Sequence, residues 1–252
     1  SYTVVDDSSP GYSIVTPGTE ATLLKLKFTG TTEDIAIRKV GFQLSTATGV
    51  SGSATNTPVD LVGQKVTLWD GTTQVGSASI DSTLDTATST LATAVKVPKG
   101  GSKIITVKGT IAAITSSGPM VRSGDRLVVD YDGGNTGING NYGTGAESGA
   151  TISGGTTDTT ANAVRIVKAY PEFAYEALTT SERLLASGDG RALYKFKVTA
   201  KNGDVALSKL SFSVSSSTLS ATTSKFTLYA YTGTDANHTT ADSNFEGANN
   251  PG

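Results

Sequence analysis

Cysteine is absent from the 252 residues, and histidine, methionine and tryptophan each occur once. Without thiols there are no disulfides, thiolate metal centres or cysteine nucleophiles, so stability rests on strand pairing and packing. One histidine cannot supply the several nitrogen or sulfur ligands that zinc requires. His238 is also the only base open to a Ser-His-Asp arrangement. It lies in the polar string Gly233-Thr234-Asp235-Ala236-Asn237-His238-Thr239, with no Gly-x-Ser-x-Gly elbow, and reads as a solvated loop residue. Charge is sparse too: 20 basic and 22 acidic residues leave a net charge of −2, with no basic cluster. That balance argues against nucleic acid or an anionic membrane as partner. No apolar run approaches the roughly 20 residues of a membrane span. The opening Ser1-Tyr2-Thr3-Val4-Val5 has no Met, basic segment or apolar signal core, as expected of a mature product or a fragment.

What the chain does have is threonine and serine, together roughly a quarter of its residues, and 29 glycines. That composition favours strands and turns, so an all-β fold is expected. With few lysines and arginines it also matches secreted bacterial surface proteins, which places the chain outside the cell or at its surface.

The chain repeats itself. Leu23-Leu24-Lys25-Leu26-Lys27-Phe28 returns 170 positions later as Leu193-Tyr194-Lys195-Phe196-Lys197-Val198. Asp34-Ile35-Ala36-Ile37-Arg38-Lys39-Val40-Gly41-Phe42-Gln43-Leu44 returns as Asp204-Val205-Ala206-Leu207-Ser208-Lys209-Leu210-Ser211-Phe212-Ser213-Val214. Lys65-Val66-Thr67-Leu68-Trp69 is matched by Lys225-Phe226-Thr227-Leu228-Tyr229. In the first copy Leu24, Leu26 and Phe28 share one phase of a strand, with Lys25 and Lys27 on the solvated side. Ile35 and Ile37 are out of phase with Val40, Phe42 and Leu44. The slip at Arg38-Lys39, repeated at Ser208-Lys209, requires a β-bulge or a strand that crosses between two packed sheets.

Further strands are expected at residues 65–69, 74–80, 95–97, 102–111 and 126–131, the last with Leu127, Val129 and Tyr131 on one face. Asp70-Gly71 suits a tight turn, and Pro98-Lys99-Gly100-Gly101 reads as a hairpin turn. Residues 132–160 read as loops around one short strand. The pattern predicts two tandem β-sandwich, immunoglobulin-like modules, residues 1–167 and 168–252. The second is incomplete, because nothing after residue 231 matches the strand of residues 102–111: either it is cut short, as a piece of a longer protein would be, or strands from another chain complete it. An incomplete sandwich leaves unpaired strand edges that invite other strands.

Residues 18–28, Asp34-Ile35-Ala36-Ile37-Arg38-Lys39-Val40-Gly41-Phe42, Gly124-Asp125-Arg126-Leu127-Val128-Val129, Gly145-Ala146-Glu147-Ser148-Gly149-Ala150-Thr151-Ile152 and residues 164–171 together carry a resemblance. They resemble repeat modules of large secreted S-layer-like or cell-wall-associated surface proteins of uncultured small-genome bacteria. The resemblance implies tandem β-sandwiches with a role in an envelope, appendage or surface array. The expected function is that of a non-enzymatic structural component of an extracellular assembly, such as a surface layer, filament or stalk. Its partners would be copies of itself or neighbouring surface-protein modules.

The alternative is an adhesin or carbohydrate-binding module, with Trp69, Tyr229 and Tyr231 as glycan contacts. Trp69 and Tyr229 occupy equivalent repeat positions, which also fits packing within the module. Calcium is the metal best suited to the chain, because it accepts oxygen ligands alone. Its candidate site is the acidic loop of Asp235, Asn237, Asp242, Asn244 and Glu246. A second loop, Asp130-Tyr131-Asp132-Gly133-Gly134-Asn135, has similar chemistry, although Asp, Asn and Gly are also what turns prefer. The glutamates sit in no spacing that sets two carboxylates across a sugar cleft, so no glycosidase is expected.

Overall fold

The computed structural model describes residues 1–7, 10–45, 56–116, 121–183, 192–213, 226–233, 235, 238, 240 and 241. Its strands are β1 (Tyr2–Asp6), β2 (Ser13–Val15), β3 (Glu20–Gly30), β4 (Ile35–Leu44), β5 (Lys65–Asp70), β6 (Thr73–Ser79), β7 (Thr86–Val97) and β8 (Ser102–Thr110). There follow β9 (Arg126–Leu127), β10 (Val129–Tyr131), β11 (Tyr142–Gly145), β12 (Thr151–Ser153), β13 (Val164–Ile166), β14 (Tyr170–Glu176) and β15 (Lys195–Lys201). Two single 3₁₀ turns, Pro58–Asp60 and Val62–Gln64, complete the regular structure among the described residues, so the fold is all-β.

One sheet runs β1-β3-β8-β5-β6, every pair antiparallel. The other is built around β4, with β7 along one edge and β10 and β11 end to end along the other. The first sheet contributes Leu24, Leu26 and Phe28, with Ile105, Val107, Val66 and Leu68. The second contributes Ile35, Ile37, Val40, Phe42, Val95, Val97, Val129 and Tyr131, and all lie in one buried core. This is the sandwich arrangement, in which alternation along each strand sends one set of side chains to a shared interior. A small third sheet, β2-β13-β9, sets Val15, Ile166 and Leu127 against the same core.

The slip at Arg38-Lys39 is a bulge within one sheet, not a crossing between sheets. Along β11 the partners step from Lys39 to Ile37 while β11 advances only from Tyr142 to Gly143, which leaves the exposed Arg38 as the extra residue. Ile35 and Ile37 on one side of the bulge, and Val40 and Phe42 on the other, are therefore all buried. In β3, Leu23 is likewise the extra residue opposite β8.

Three local expectations are corrected. Pro98-Lys99-Gly100-Gly101 is not a hairpin turn: it carries the chain from β7 in the second sheet to β8 in the first, with the Gly101 N–H donating to the Pro98 carbonyl at 3.0 Å. β7 begins at Thr86 instead of Val95, because its early inward positions are the small residues Ala87 and Ser89. Buried Ser89 donates from Oγ to the Ser77 carbonyl of β6 at 3.0 Å, and a Cβ at Gly76 would lie 2.7 Å from that Oγ. The loop region holds two short strands, β11 and β12, rather than one.

By its contacts the chain divides into residues 1–206 and residues 207–252. Within the first unit, β14 and β15 pair only with each other in a separate antiparallel sheet. In residues 204–213 the second counterpart of β4 forms no strand, and Leu207 and Phe212 are exposed. Residues 226–231, within the counterpart of β5, form no strand either.

Candidate functional site

The β14–β15 hairpin includes the second occurrence of the repeated sequence Leu193-Tyr194-Lys195-Phe196-Lys197-Val198. In the first copy β1 pairs with β3, with Val4 opposite Phe28 and Asp6 opposite Leu26. In the second, Phe173 faces Val198 and Tyr175 faces Phe196. β15 lies 170 residues after β3, so the same strand pair recurs with its first strand displaced by one residue.

Alternation gives this hairpin two unlike faces. One carries Phe173, Tyr175, Tyr194, Phe196 and Val198. Ring centroids are 6.1 Å apart for Phe173–Phe196 and 5.7 Å for both Tyr175–Tyr194 and Tyr194–Phe196. The other face carries Glu172 and Lys195, Lys197 and Thr199. Lys201 Nζ lies 2.9 Å from Glu172, and Lys195 Nζ 2.6 Å from Glu182. The Lys195 ammonium, with the Thr179 donors behind it, holds the Glu182 carboxyl down at about 2.

Burial separates the two copies. Leu24, Leu26 and Phe28 are 0%, 0% and 1% exposed, whereas of their counterparts Tyr194 is 56% exposed and Phe196 and Val198 are half-buried, with Phe173 and Tyr175 beside them 50% and 63% exposed. β3 has β8 on its second edge, but among the described residues no strand pairs with the second edge of β15. The alternation of Tyr194, Phe196 and Val198, with Phe173 and Tyr175 at matching spacing, is the sequence signal for this face. It remained hidden because those positions align with core positions of the first copy.

Trp69 lies on the outer side of the first sheet, beside a shallow groove of about 270 Å³ lined by Glu20, Lys65, Thr67, Gln74 and Thr110. Its indole N–H donates to Thr67 Oγ1 at 2.9 Å, and Lys108 Nζ stands 4.6 Å above the ring while bonding Glu20 at 2.8 Å. The indole therefore already has a cation–π partner on one face.

Tyr229 and Tyr231 belong to the second unit, where Tyr229 is exposed and Tyr231 packs edge-on against His238 at 5.2 Å. Of the calcium candidates only Asp235 is described: its carboxylate accepts the Thr240 N–H at 2.8 Å, and its carbonyl the His238 N–H at 3.2 Å. Asn237, Asp242, Asn244 and Glu246 lie outside the described residues. Among the described residues no three His, Cys, Asp or Glu side chains group closely enough to hold a metal ion.

The other acidic loop is turn chemistry. Asp130 accepts the Ala161 N–H at 2.5 Å, Asp132 the Asn135 N–H at 3.2 Å, and nearby Asp158 the Gly133 N–H at 2.9 Å. Burial, opposed by the Ala161 bond and aided by the charges of Asp6 and Asp158, pushes Asp130 up to about 6. Buried Asn141 fills the gap between β10 and β11. Its Oδ1 accepts the Gly41 N–H of β4 at 2.6 Å, and its Nδ2 donates to the Asp132 carbonyl.

Asp60 and Asp125, both fully buried, form a carboxyl pair that sequence patterning did not single out. Asp60 accepts the Thr57 N–H at 3.1 Å and Asp125 the Arg122 N–H at 2.6 Å. Burial foremost, with the neighbouring Asp125 carboxylate, pushes Asp60 up to about 7. Burial and the like charge beside it both favour the protonated form of Asp60.

No helix among the described residues is long and apolar enough to cross a membrane. No protein-family model matches the chain, and no curated protein matches it.

Proposed function

We propose that this protein is a non-enzymatic structural component of an extracellular assembly, a surface layer, filament or stalk, in which repeated β-modules give rigid length and exposed strands make neighbour contacts. The observation that carries this reading is the β14–β15 hairpin. It repeats the β1–β3 pairing of a complete sandwich while leaving Phe173, Tyr175 and Tyr194 exposed, and among the described residues no strand pairs with the second edge of β15. An open strand edge beside an apolar face is a template for further pairing, and surface proteins that must remain monomeric protect such edges. The cysteine-free, Thr/Ser-rich composition and the resemblance to S-layer-like repeats favour the cell surface as its location.

The test is light scattering of the purified chain over a concentration series, with electron microscopy of the same samples. Ordered sheets or filaments are the expected result, and a monodisperse monomer at every concentration would contradict the reading.

A second reading, glycan binding, draws on the groove beside Trp69, where an aromatic ring lies among Glu20, Thr67, Gln74 and Lys65. Because Lys108 covers one face of the indole, a sugar must displace that ammonium or stack on the other face. Glycan-array binding abolished by Trp69→Ala would favour it.

A further inference from the structure

The outer face of the first sheet is basic around Trp69. Alternation along β3, β8 and β5 sends Lys25, Lys27, Lys65 and Lys108 outward against the single carboxylate of Glu20, although the chain as a whole carries a charge of −2. Cross-strand pairing gathers these groups about one ring. Trp69 lies beside Thr106 and Thr106 beside Lys25, while Thr67 lies beside Lys108.

Within the groove next to Trp69 the charges do not balance. Lys108 and Glu20 neutralise each other at 2.8 Å. Lys65 lines the same groove, is exposed, and makes no ion pair among the described residues. One ammonium is thus left without a counter-charge, which favours an anionic ligand group over a neutral one. The rest of the lining suits a sugar, because Thr110 presents a hydroxyl, Gln74 an amide and Trp69 the edge of a broad ring. All the lining residues fall between Glu20 and Thr110, so the groove belongs wholly to the first unit.

Lys65 and Trp69 stand four residues apart on one face of β5, about 13 Å along the strand. That spacing suits two or more linked rings better than one. One ring can stack its C–H face on the indole while the carboxylate of a neighbouring ring meets the Lys65 ammonium. We infer that the groove binds an acidic oligosaccharide, with Lys65 as the residue that selects a carboxylated sugar over its neutral counterpart. This rests on the glycan-binding reading and adds to it the charge of the ligand and the side chain that reads that charge. Lys25 and Lys27, farther along the same face, extend the attraction to a longer polyanionic chain.

The experiment titrates the full chain with hexamers of galacturonate, mannuronate and guluronate, and with the methyl ester of each, which keeps the rings and removes the charge. Calorimetry reads the affinity, and emission of Trp69, the only tryptophan, reports contact at the ring. At least one acid hexamer is expected to bind saturably, to change Trp69 emission, and to bind about tenfold or more tighter than its ester. Lys65→Gln should bring acid and ester to equal affinity, whereas Lys65→Arg should keep the preference. Lys65 is exposed, so both variants should retain the fold, which thermal unfolding checks. Equal affinity of acid and ester, or a preference that survives Lys65→Gln, would overturn the inference while leaving the glycan reading in place. Failure of every acid hexamer to bind would overturn it too, and the glycan reading would then stand or fall with the glycan array. Tighter binding of an oligothymidylate than of any uronate hexamer would also count against it, because nucleic acid would then be the occupant.

Discussion

The two copies of one strand pair differ in what covers them. β1–β3 and β14–β15 share their pairing and their division into an apolar and a charged face. In the first copy the apolar face meets β4 and β7 across the interior, and β8 closes the open edge. In the second copy no strand among the described residues pairs with the second edge of β15, and Tyr194 and Phe196 stand where the first copy has Leu24 and Leu26. Alternation is thus sufficient to specify a strand pair with a sticky side, but not to bury that side. Burial comes from strands distant in the chain. Rings also suit a surface that is exposed at one time and covered at another, because they contribute large contact area with few rotatable bonds.

The largest effect should separate the copies outright. Leu26→Ala removes a fully buried side chain and is expected to cost about 3 kcal/mol, whereas Tyr194→Ala on the exposed face of β15 should cost well under 1 kcal/mol in the unassembled chain. Denaturant titration followed by Trp69 fluorescence and far-ultraviolet dichroism measures both. Equal costs would mean that the second face is covered as fully as the first.

Asn141→Ala comes next. It leaves the Gly41 N–H buried without its acceptor, at an expected cost of about 2 kcal/mol, and should loosen β10 and β11 while leaving β14–β15 untouched. Amide hydrogen exchange would show that localisation.

The pH dependence that comes from buried carboxyls belongs to the first copy. Asp60 and Asp130 have their values raised by burial, so the native state favours their protonated forms. Their contribution is complete below about pH 4 and is lost as pH rises through about 6 and 7. Glu33, Asp34 and Asp81 are held below the ordinary carboxylate range by hydrogen bonds, and their contribution is lost as pH falls through those lowered values. Thermal stability of the first sandwich should therefore peak near pH 5 and decline toward pH 8. Asp60→Asn should flatten much of that decline, and a wild-type curve that rises from pH 5 to pH 8 would contradict the burial argument.

The smallest effect belongs to the hairpin's own ion pairs. Lys201→Ala breaks an exposed pair with Glu172 and should leave the denaturation midpoint nearly unchanged, so the hairpin owes little of its order to its charges.

Much of this fold is legible in the sequence wherever large apolar residues alternate. Leu24, Leu26 and Phe28 reveal β3, and the phase change at Arg38-Lys39 reveals an irregularity, although only the pairing of β4 shows it to be a bulge and not a crossing between sheets. The first half of β7 is hidden, since Ala87 and Ser89 are buried without being large. The turn after Pro98 has the residues of a hairpin, and only the pairing of β7 with β4 and of β8 with β3 shows that it joins two sheets. Asp60 and Asp125 lie 65 positions apart in sequence, so their pairing has no local signature. The ring face of β15 is the instructive middle case. Its residues are plain in the alternation, but their exposure depends on the strands that should cover them.

The most direct measurement is hydrogen exchange along the whole chain, first in dilute monomer and then in the concentrated, assembled state. The account predicts that β3 amides are protected throughout, whereas β15 amides exchange quickly in the monomer and become protected once its second edge is paired. Protection of β15 equal to that of β3 in the dilute monomer would contradict it, because the second copy would then already be closed.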